Sequence, residues 1–176
     1  MRPADLERYI KTVNISPTDV MFAVCDRARG CHIGNVKLQN INPDHGTADL
    51  SVVIGHVARW RQGLGTEAIA LMTAYAFKRL GLRRISAGSY TANQASMRAF
   101  LKCGYIKEGV SRGLYLLNGV AHDCMRVGIL AGDPPLWETV VGRFGKRNGR
   151  TVGSLKPPRM RRVRVAPCSR RRLVRS

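Results

Sequence analysis

The residues best suited to chemistry are Trp60-Arg61-Gln62-Gly63-Leu64-Gly65-Thr66-Glu67-Ala68. They lie between an apolar, strand-like run, Leu50 to Ile54, and an apolar-periodic run, Thr66 to Leu80. A strand, a glycine turn and a helix start make an anion site. The first N–H groups of a helix have no internal partner, and the helix dipole sets partial positive charge beside them. Glycine lets the backbone approach an anion closely and adopt positive φ. The expected ligand is a phosphate or pyrophosphate. The run is no G-x-x-x-x-G-K-[ST] loop, and no G-x-G-x-x-G fingerprint followed by an acidic residue roughly 20 positions on. Alone, it also fits an ordinary turn between a strand and a helix.

Further segments give it context: Asn93-Gln94-Ala95-Ser96, then Lys102-Cys103-Gly104-Tyr105, then Glu108-Gly109, Leu117-Asn118-Gly119 and Asp123. In order and spacing they resemble the GNAT family of acetyl-CoA-dependent N-acetyltransferases. The branch they look most like holds the ribosomal-protein-alanine acetyltransferases and related small-molecule and sugar acetyltransferases. Trp60 to Ala68 is similar to that branch's W-x-x-G-x-G-T-E-A, and Asn93 to Tyr105 to its N-x-x-S-x-x-A-F-x-K-x-G-[FY]. The likeness runs from Phe22 to Leu130 and is specific for the family, not for an acceptor. It implies an α/β fold with a mixed, mostly antiparallel central sheet flanked by helices. The family's first strand, and one or two helices, would be missing ahead of Ala4, leaving the strand at Met21 as an edge.

The resemblance assigns roles. The pantetheine arm of acetyl-CoA would pair with Ser51 to Ile54, with an N–H near Val53 or Ile54 facing the thioester oxygen. Gln62, Gly63, Leu64, Gly65 and Thr66 would cradle the pyrophosphate. Asn93 matches an asparagine that contacts the pantetheine arm, and it also suits a helix N-cap. Ser96 matches a serine near the departing sulfur, and it also suits local hydrogen bonding early in a helix.

Proton carriers are less defined. Many members place a tyrosine seven residues after the asparagine as general acid, and here that position is Phe100. The ribosomal-protein branch has a glutamate seven residues after the E-G glutamate, and here that position is Tyr115. Tyr115 can line an acceptor cleft or be an ordinary strand aromatic. His56 is a candidate base with a near-neutral reference pKa, and a solvated loop histidine is the plainer alternative. Asp123 is as well suited to structure as to function, and Glu67 suits the first turn of a helix. The stretch His32 to Leu38 looks most like members tied to sugar or surface-glycan modification.

Composition bounds the rest. At 176 residues with 44% hydrophobic content, one globular domain is expected. No apolar run reaches the roughly 18 residues of a membrane span. The N-terminus lacks a signal-peptide pattern, so the cytoplasm is the expected location. Five cysteines without a C-x-x-C pair, and four histidines without ligand spacing, predict neither a disulfide framework nor a metal. The net charge of +19 is uneven: Arg143 to Ser176 carry 13 of the 30 Lys and Arg and none of the 11 Asp and Glu, which leaves +6 on residues 1–142.

The elements that must position these residues read off periodicity. Helices are expected at Ala4–Asn14, Thr66–Leu80 and Asn93–Cys103. Strands are expected at Met21–Cys25, Cys31–Leu38, Ala48–Ile54, Arg83–Tyr90, Tyr105–Val110 and Ala121–Ile129. Residues 1–132 would form the acetyltransferase domain, and 133–176 a basic, disordered tail. Residues 143–176 could touch nucleic acid or the ribosome, though a solvated tail is favoured because it lacks interleaved aromatics. The expected activity is acetyl transfer from acetyl-CoA to a primary amine of a small molecule, amino sugar or protein N-terminus, with a homodimer as one assembly. A truncated relative that binds CoA without turnover, or a ribosome- or RNA-associated protein, are the alternatives.

Overall fold

The computed structural model describes residues 3–26 and 30–146. Helix α1 (Pro3–Ile15) leads into strands β1 (Val20–Cys25), β2 (His32–Asn42) and β3 (Thr47–Ile54). Helix α2 (Leu64–Lys78), strand β4 (Arg84–Tyr90) and helix α3 (Gln94–Lys102) follow. Strands β5 (Ile106–Leu117) and β6 (Val120–Leu130) and helix α4 (Leu136–Lys146) complete the order. The strands form one sheet, β1-β2-β3-β4-β6-β5. Every neighbouring pair is antiparallel except β3–β4. The expected mixed, mostly antiparallel α/β fold is the fold observed.

Alternation along the strands divides the sheet into two faces. Leu38, Ala48, Leu50, Ile85, Ala87, Val127 and Ile129 point to one side and join Ile69, Met72 and Ala76 of α2 and Phe100 of α3 in the main core. The expected apolar face of α2 is real, and Gly81 turns the chain out of the helix at φ +64°. On the other side, Val13 of α1 packs on Met21 of β1. Among the described residues, no other helix covers that open face.

Two expectations are corrected. The domain boundary at 132 falls too early, because α4 belongs to the folded body. Trp137 and Val141 are buried in the main core. Trp137 packs on Phe77 of α2 at 6.3 Å between ring centroids, and Lys78 pairs with Glu138 at 2.7 Å. Residues 147–176, most of the expected tail, lie outside the described residues. The second correction is β5, which runs to Leu117 rather than Val110. Register shifts at Lys107/Gly109 and at Ser111/Tyr115 absorb the glycines without ending the strand.

The E-G pair has a structural task here. Glu108 makes a two-pronged bond to Arg84, at 2.7 and 2.6 Å. The carboxylate lies over Gly128, where a Cβ would come within 2.4 Å of it. The clasp therefore joins β5 to β4 across the strand between them. The Arg84 hydrogen bonds, and next its charge, hold the Glu108 carboxyl below its ordinary value. Asp123 also works structurally, accepting the Gly113 N–H at 2.8 Å where β5 bulges.

Candidate active site

Strands β3 and β4 pair only from Thr47↔Arg84 to Asp49↔Ser86. Beyond that point β3 continues to Ile54 along β2, and β4 to Tyr90 along β6, with no ladder between them. A V-shaped gap results, and its β3 edge carries unpaired backbone.

The ladder parity decides which groups face the gap. Gly55 N–H bonds Ile33 C=O at 2.9 Å, and Arg84 N–H bonds Gly46 C=O at 3.0 Å. Odd-numbered β3 residues therefore turn their N–H and C=O to β2, and even-numbered ones turn theirs toward β4. Ile54 presents its N–H to the gap, as does Val52, whereas the Val53 N–H faces β2. Val53 instead places an exposed side chain on the open face. The Ile54 carbonyl is capped by Trp60 Nε1 at 2.8 Å.

The glycine turn ends beside this edge. A short 3-10 turn, Val57–Arg59, is tied down by an Arg59–Asp26 ion pair. Gln62 Nε2 donates to Ala58 C=O at 3.0 Å, closing the loop with its side chain. Gly63 then adopts a left-handed φ of +81° as the N-cap, and no side chain caps α2. The helix starts two residues before the expected Thr66. Its first internal bond is Glu67 N–H to Gly63 C=O, at 2.9 Å. Leu64, Gly65 and Thr66 thus point N–H groups out of the helix start, toward any anion placed there. Cys103 Sγ donates to Thr66 C=O at 3.4 Å and braces this turn against the end of α3. Burial pushes the Cys103 thiol up to about 12, so it stays protonated.

Asn93 caps α3, its Oδ1 accepting the Ser96 N–H at 3.1 Å. The amide nitrogen of Asn93 has no hydrogen bond among the described residues. Ser96 sits half-buried in the first turn, and its hydroxyl likewise has no partner among the described residues. Phe100, at the position of the family tyrosine, is in the core with its ring 5.0 Å from that of Tyr105.

His56 lies just after β3, exposed, with no side-chain bond among the described residues. Tyr115 lies on β5, its ring tilted at 55° to that of Tyr90 with 5.0 Å between centroids, and the His122 ring meets Tyr90 edge-on at 5.9 Å. Partial burial, and after it the adjoining Cys124 thiol, hold the Tyr115 hydroxyl above the ordinary tyrosine value. It stays protonated at neutral pH and can donate a proton, not remove one. No hydrogen bond joins Ser96, His56 and Tyr115 to one another.

Sequence reasoning missed two residues, Tyr90 and Arg126. Tyr90 closes the β4 side of the gap. Arg126 projects from β6 on the open face and reaches over β4 at Gly88, its register partner. A Cβ on Gly88 would lie 3.2 Å from Arg126 Nη1 and 2.8 Å from Cys124 Sγ. Glycine at 88 therefore makes room for the guanidinium. The only available signal was an arginine and a glycine in neighbouring strands, and their pairing is not visible until the register is known.

Among the described residues, no group of three or more His, Cys, Asp or Glu could hold a metal ion. No helix among them is long and apolar enough to cross a membrane.

Residues 1–106 match the acetyltransferase (GNAT) domain family. An uncharacterized N-acetyltransferase of Bacillus subtilis, YoaA, is 37% identical over 91 residues, covering 52% of this chain and 51% of its own. The probable N-acetyltransferase YjcK of the same organism is 43% identical over 72 residues, covering 41% and 40%. The chain thus spans about half the length or less of these relatives. A dodecameric spermidine N-acetyltransferase of Vibrio cholerae is similar over 72% of this chain and 73% of its own, with TM-score 0.65 and 26% identity. The Vibrio cholerae enzyme in complex with CoA and spermine shares the fold at TM-score 0.70 and 24% identity, over 76% and 78%. The uncapped start of α2, the parted strands beside it and the match over residues 1–106 agree, and the chain belongs to the GNAT acetyltransferase family.

Proposed function

We propose that this chain transfers an acetyl group from acetyl-CoA to a primary amine. The observation that carries the reading is the parting of β3 from β4 directly beside three outward N–H groups at the start of α2. Those groups suit a pyrophosphate, and the free edge at Val52 and Ile54 suits an extended amide arm. Bound there, acetyl-CoA supplies an activated acetyl thioester.

The chain's own residues have the following roles in this reading. Gln62, Gly63, Leu64, Gly65 and Thr66 hold the phosphates from the helix side of the sheet. The Ile54 N–H polarises the acetyl oxygen as negative charge develops on it. The amine enters from the open face, between Ser51 and Val53 on one strand and Gly88 and Tyr90 on the other. A nitrogen–carbon bond forms and the carbon–sulfur bond breaks. The amine gives up one proton and the sulfur takes one. Tyr115, protonated, is the candidate donor to the sulfur, with Ser96 beside the donor arm. His56 is the candidate acceptor of the amine proton. Asn93 keeps its cap and offers its amide nitrogen to the arm.

We place the chain in the branch resembling the ribosomal-protein-alanine acetyltransferases, with a domain that includes α4 and an arginine-rich sequence after it. A second reading, CoA binding without turnover, draws on Phe100, which sits in the core where many relatives keep a tyrosine. Titration calorimetry of acetyl-CoA into the native chain and into Gly63→Asp tests the donor site. Saturable binding that the substitution removes is the expected result. No binding by well-folded native protein overturns both readings, whereas binding without thiol release across an amine panel leaves the second.

A further inference from the structure

We propose that the acceptor is an amine that also carries an anionic group, a carboxylate or a phosphate, and that Arg126 holds that group. The inference rests on the acetyltransferase reading and deepens it to a substrate class.

The argument begins with charge at the mouth of the gap. Extending the parallel register beyond Asp49↔Ser86 sets Ser51 against Gly88 and Val53 against Tyr90. The charged side chains near this mouth on the open face are Lys37, Asp49, Arg84, Glu108 and Arg126. Four of them are engaged. Arg84 and Glu108 hold each other through two bonds. Asp49 accepts from Asn40 Nδ2 at 3.0 Å, and Lys37 pairs with Asp19 at 3.6 Å. Arg126 makes no side-chain hydrogen bond or ion pair among the described residues, and its charge reaches the Glu108 carboxylate, which Arg84 already holds, only as a longer-range attraction. It is half-buried, and it leans over Gly88 toward the gap rather than out to solvent.

A half-buried guanidinium with unused donors is costly unless something accepts from it, and a carboxylate or phosphate does so in two-pronged fashion. The neighbours suit a small organic acceptor. Tyr90 and Tyr115 form an aromatic wall beside the guanidinium, and His122 closes it. An anion held at Arg126 would leave the acceptor's amino group over the gap, near the Ile54 N–H. A polyamine would instead meet a fixed positive charge on the same floor, an unfavourable match in so sheltered a place. The chain would therefore differ in substrate class from the spermidine enzymes whose fold it shares.

The test compares matched amines by thiol release, with acetyl-CoA affinity measured in parallel by calorimetry. Tyrosine against tyramine reads the carboxylate. Phosphoethanolamine against ethanolamine reads the phosphate. Spermidine is the cationic arm. The expected result is a kcat/KM at least about tenfold higher for one acid-bearing amine than for its partner without the acid group. Arg126→Gln should level that ratio without changing acetyl-CoA affinity, and Arg126→Lys should restore part of it. Binding of the preferred anionic amine to the CoA-loaded protein should weaken in step. Preference for spermidine or the amines without an acid group, or a ratio unmoved by Arg126→Gln, overturns the inference and leaves the acetyltransferase reading standing. Absence of acetyl-CoA binding by folded protein overturns both.

Discussion

The helix side and the open side of the gap are built from different materials. On the helix side, the groups proposed to meet the ligand are backbone N–H groups of Leu64, Gly65, Thr66 and Ile54, fixed by a glycine in a left-handed turn and by ladder parity. On the open side they are side chains: Tyr90, Tyr115, His122 and Arg126, drawn from three strands. A backbone site tolerates change in most side chains and depends on local conformation. A side-chain site depends on which strands are neighbours and in which register. The first suits a donor common to many relatives, and the second suits an acceptor that differs between them.

The largest effect should come from the helix side. Gly63→Asp places a negative charge where the phosphates would sit, at a position with φ +81°. The charge favours the helix start, so the fold should survive while acetyl-CoA affinity falls by about 100-fold or more. Calorimetry together with a circular dichroism melt separates the two. If affinity survives, the backbone cradle is not the donor site.

Tyr115→Phe probes the other side. It removes a protonated hydroxyl and leaves the ring contact with Tyr90. The expected outcome is a drop of about tenfold in kcat with acetyl-CoA affinity unchanged, within the usual range for a positioned acid. A loss of affinity without a loss in kcat would place Tyr115 with the donor instead.

Asn93 caps α3 and is proposed to contact the donor as well, and two substitutions divide the two roles. Asn93→Ala should cost about 1 kcal/mol of stability by removing the α3 cap. Asn93→Asp keeps a capping oxygen, so its melting temperature should stay near native while acetyl-CoA affinity falls. Equal affinity for native and Asn93→Asp protein would leave Asn93 a cap alone.

The smallest effect concerns the Arg84–Glu108 clasp on the open face. Glu108 and Arg84 are each about one-third exposed, at 35% and 30%, so solvent screens them. Glu108→Gln should cost no more than about 1 kcal/mol near pH 7. Because the folded state lowers the Glu108 pKa, its contribution is complete above the ordinary value of 4.5 and fades as pH falls through the lower folded value. The gap between native and Glu108→Gln denaturation midpoints should therefore close as the pH is taken below 4.5. A gap that stays constant would show that the ion pair is not its source.

The same division explains what the sequence disclosed. Gly63 and Gly65 before an apolar-periodic run marked the helix start to within two residues, because local conformation is written locally. Helix α4 was hidden by the arginine-rich composition that begins at Arg143. Its spacing of Trp137, Val140 and Val141, just after Pro134-Pro135, was a helical signal nonetheless. Strand β5 looked half its length because Gly109 and Gly113 resemble strand breakers, yet here they sit at bulges. Arg126 and Gly88 are 38 residues apart in the chain, and only the β4–β6 register sets one over the other. The choice between Val53 and Ile54 likewise turned on which strand lay on which side.

The short β3–β4 contact also shapes how the molecule opens. One ladder set, β1 to β3, and another, β4 to β6, meet through only three residue pairs, from Thr47↔Arg84 to Asp49↔Ser86. Each set is built from antiparallel neighbours, whereas the seam joins strands separated by α2 in sequence. Such a seam is the natural boundary between two cooperative units. In native-state hydrogen exchange, the Val52 and Ile54 amides should trade fastest within β3, the Leu50 amide at intermediate rates, and the Ser51 and Val53 amides slowest. Uniform protection along β3 would mean that the two halves open as one. With distinct rates, a ligand bridging the seam would act as a staple, slowing exchange in both halves on occupying the gap.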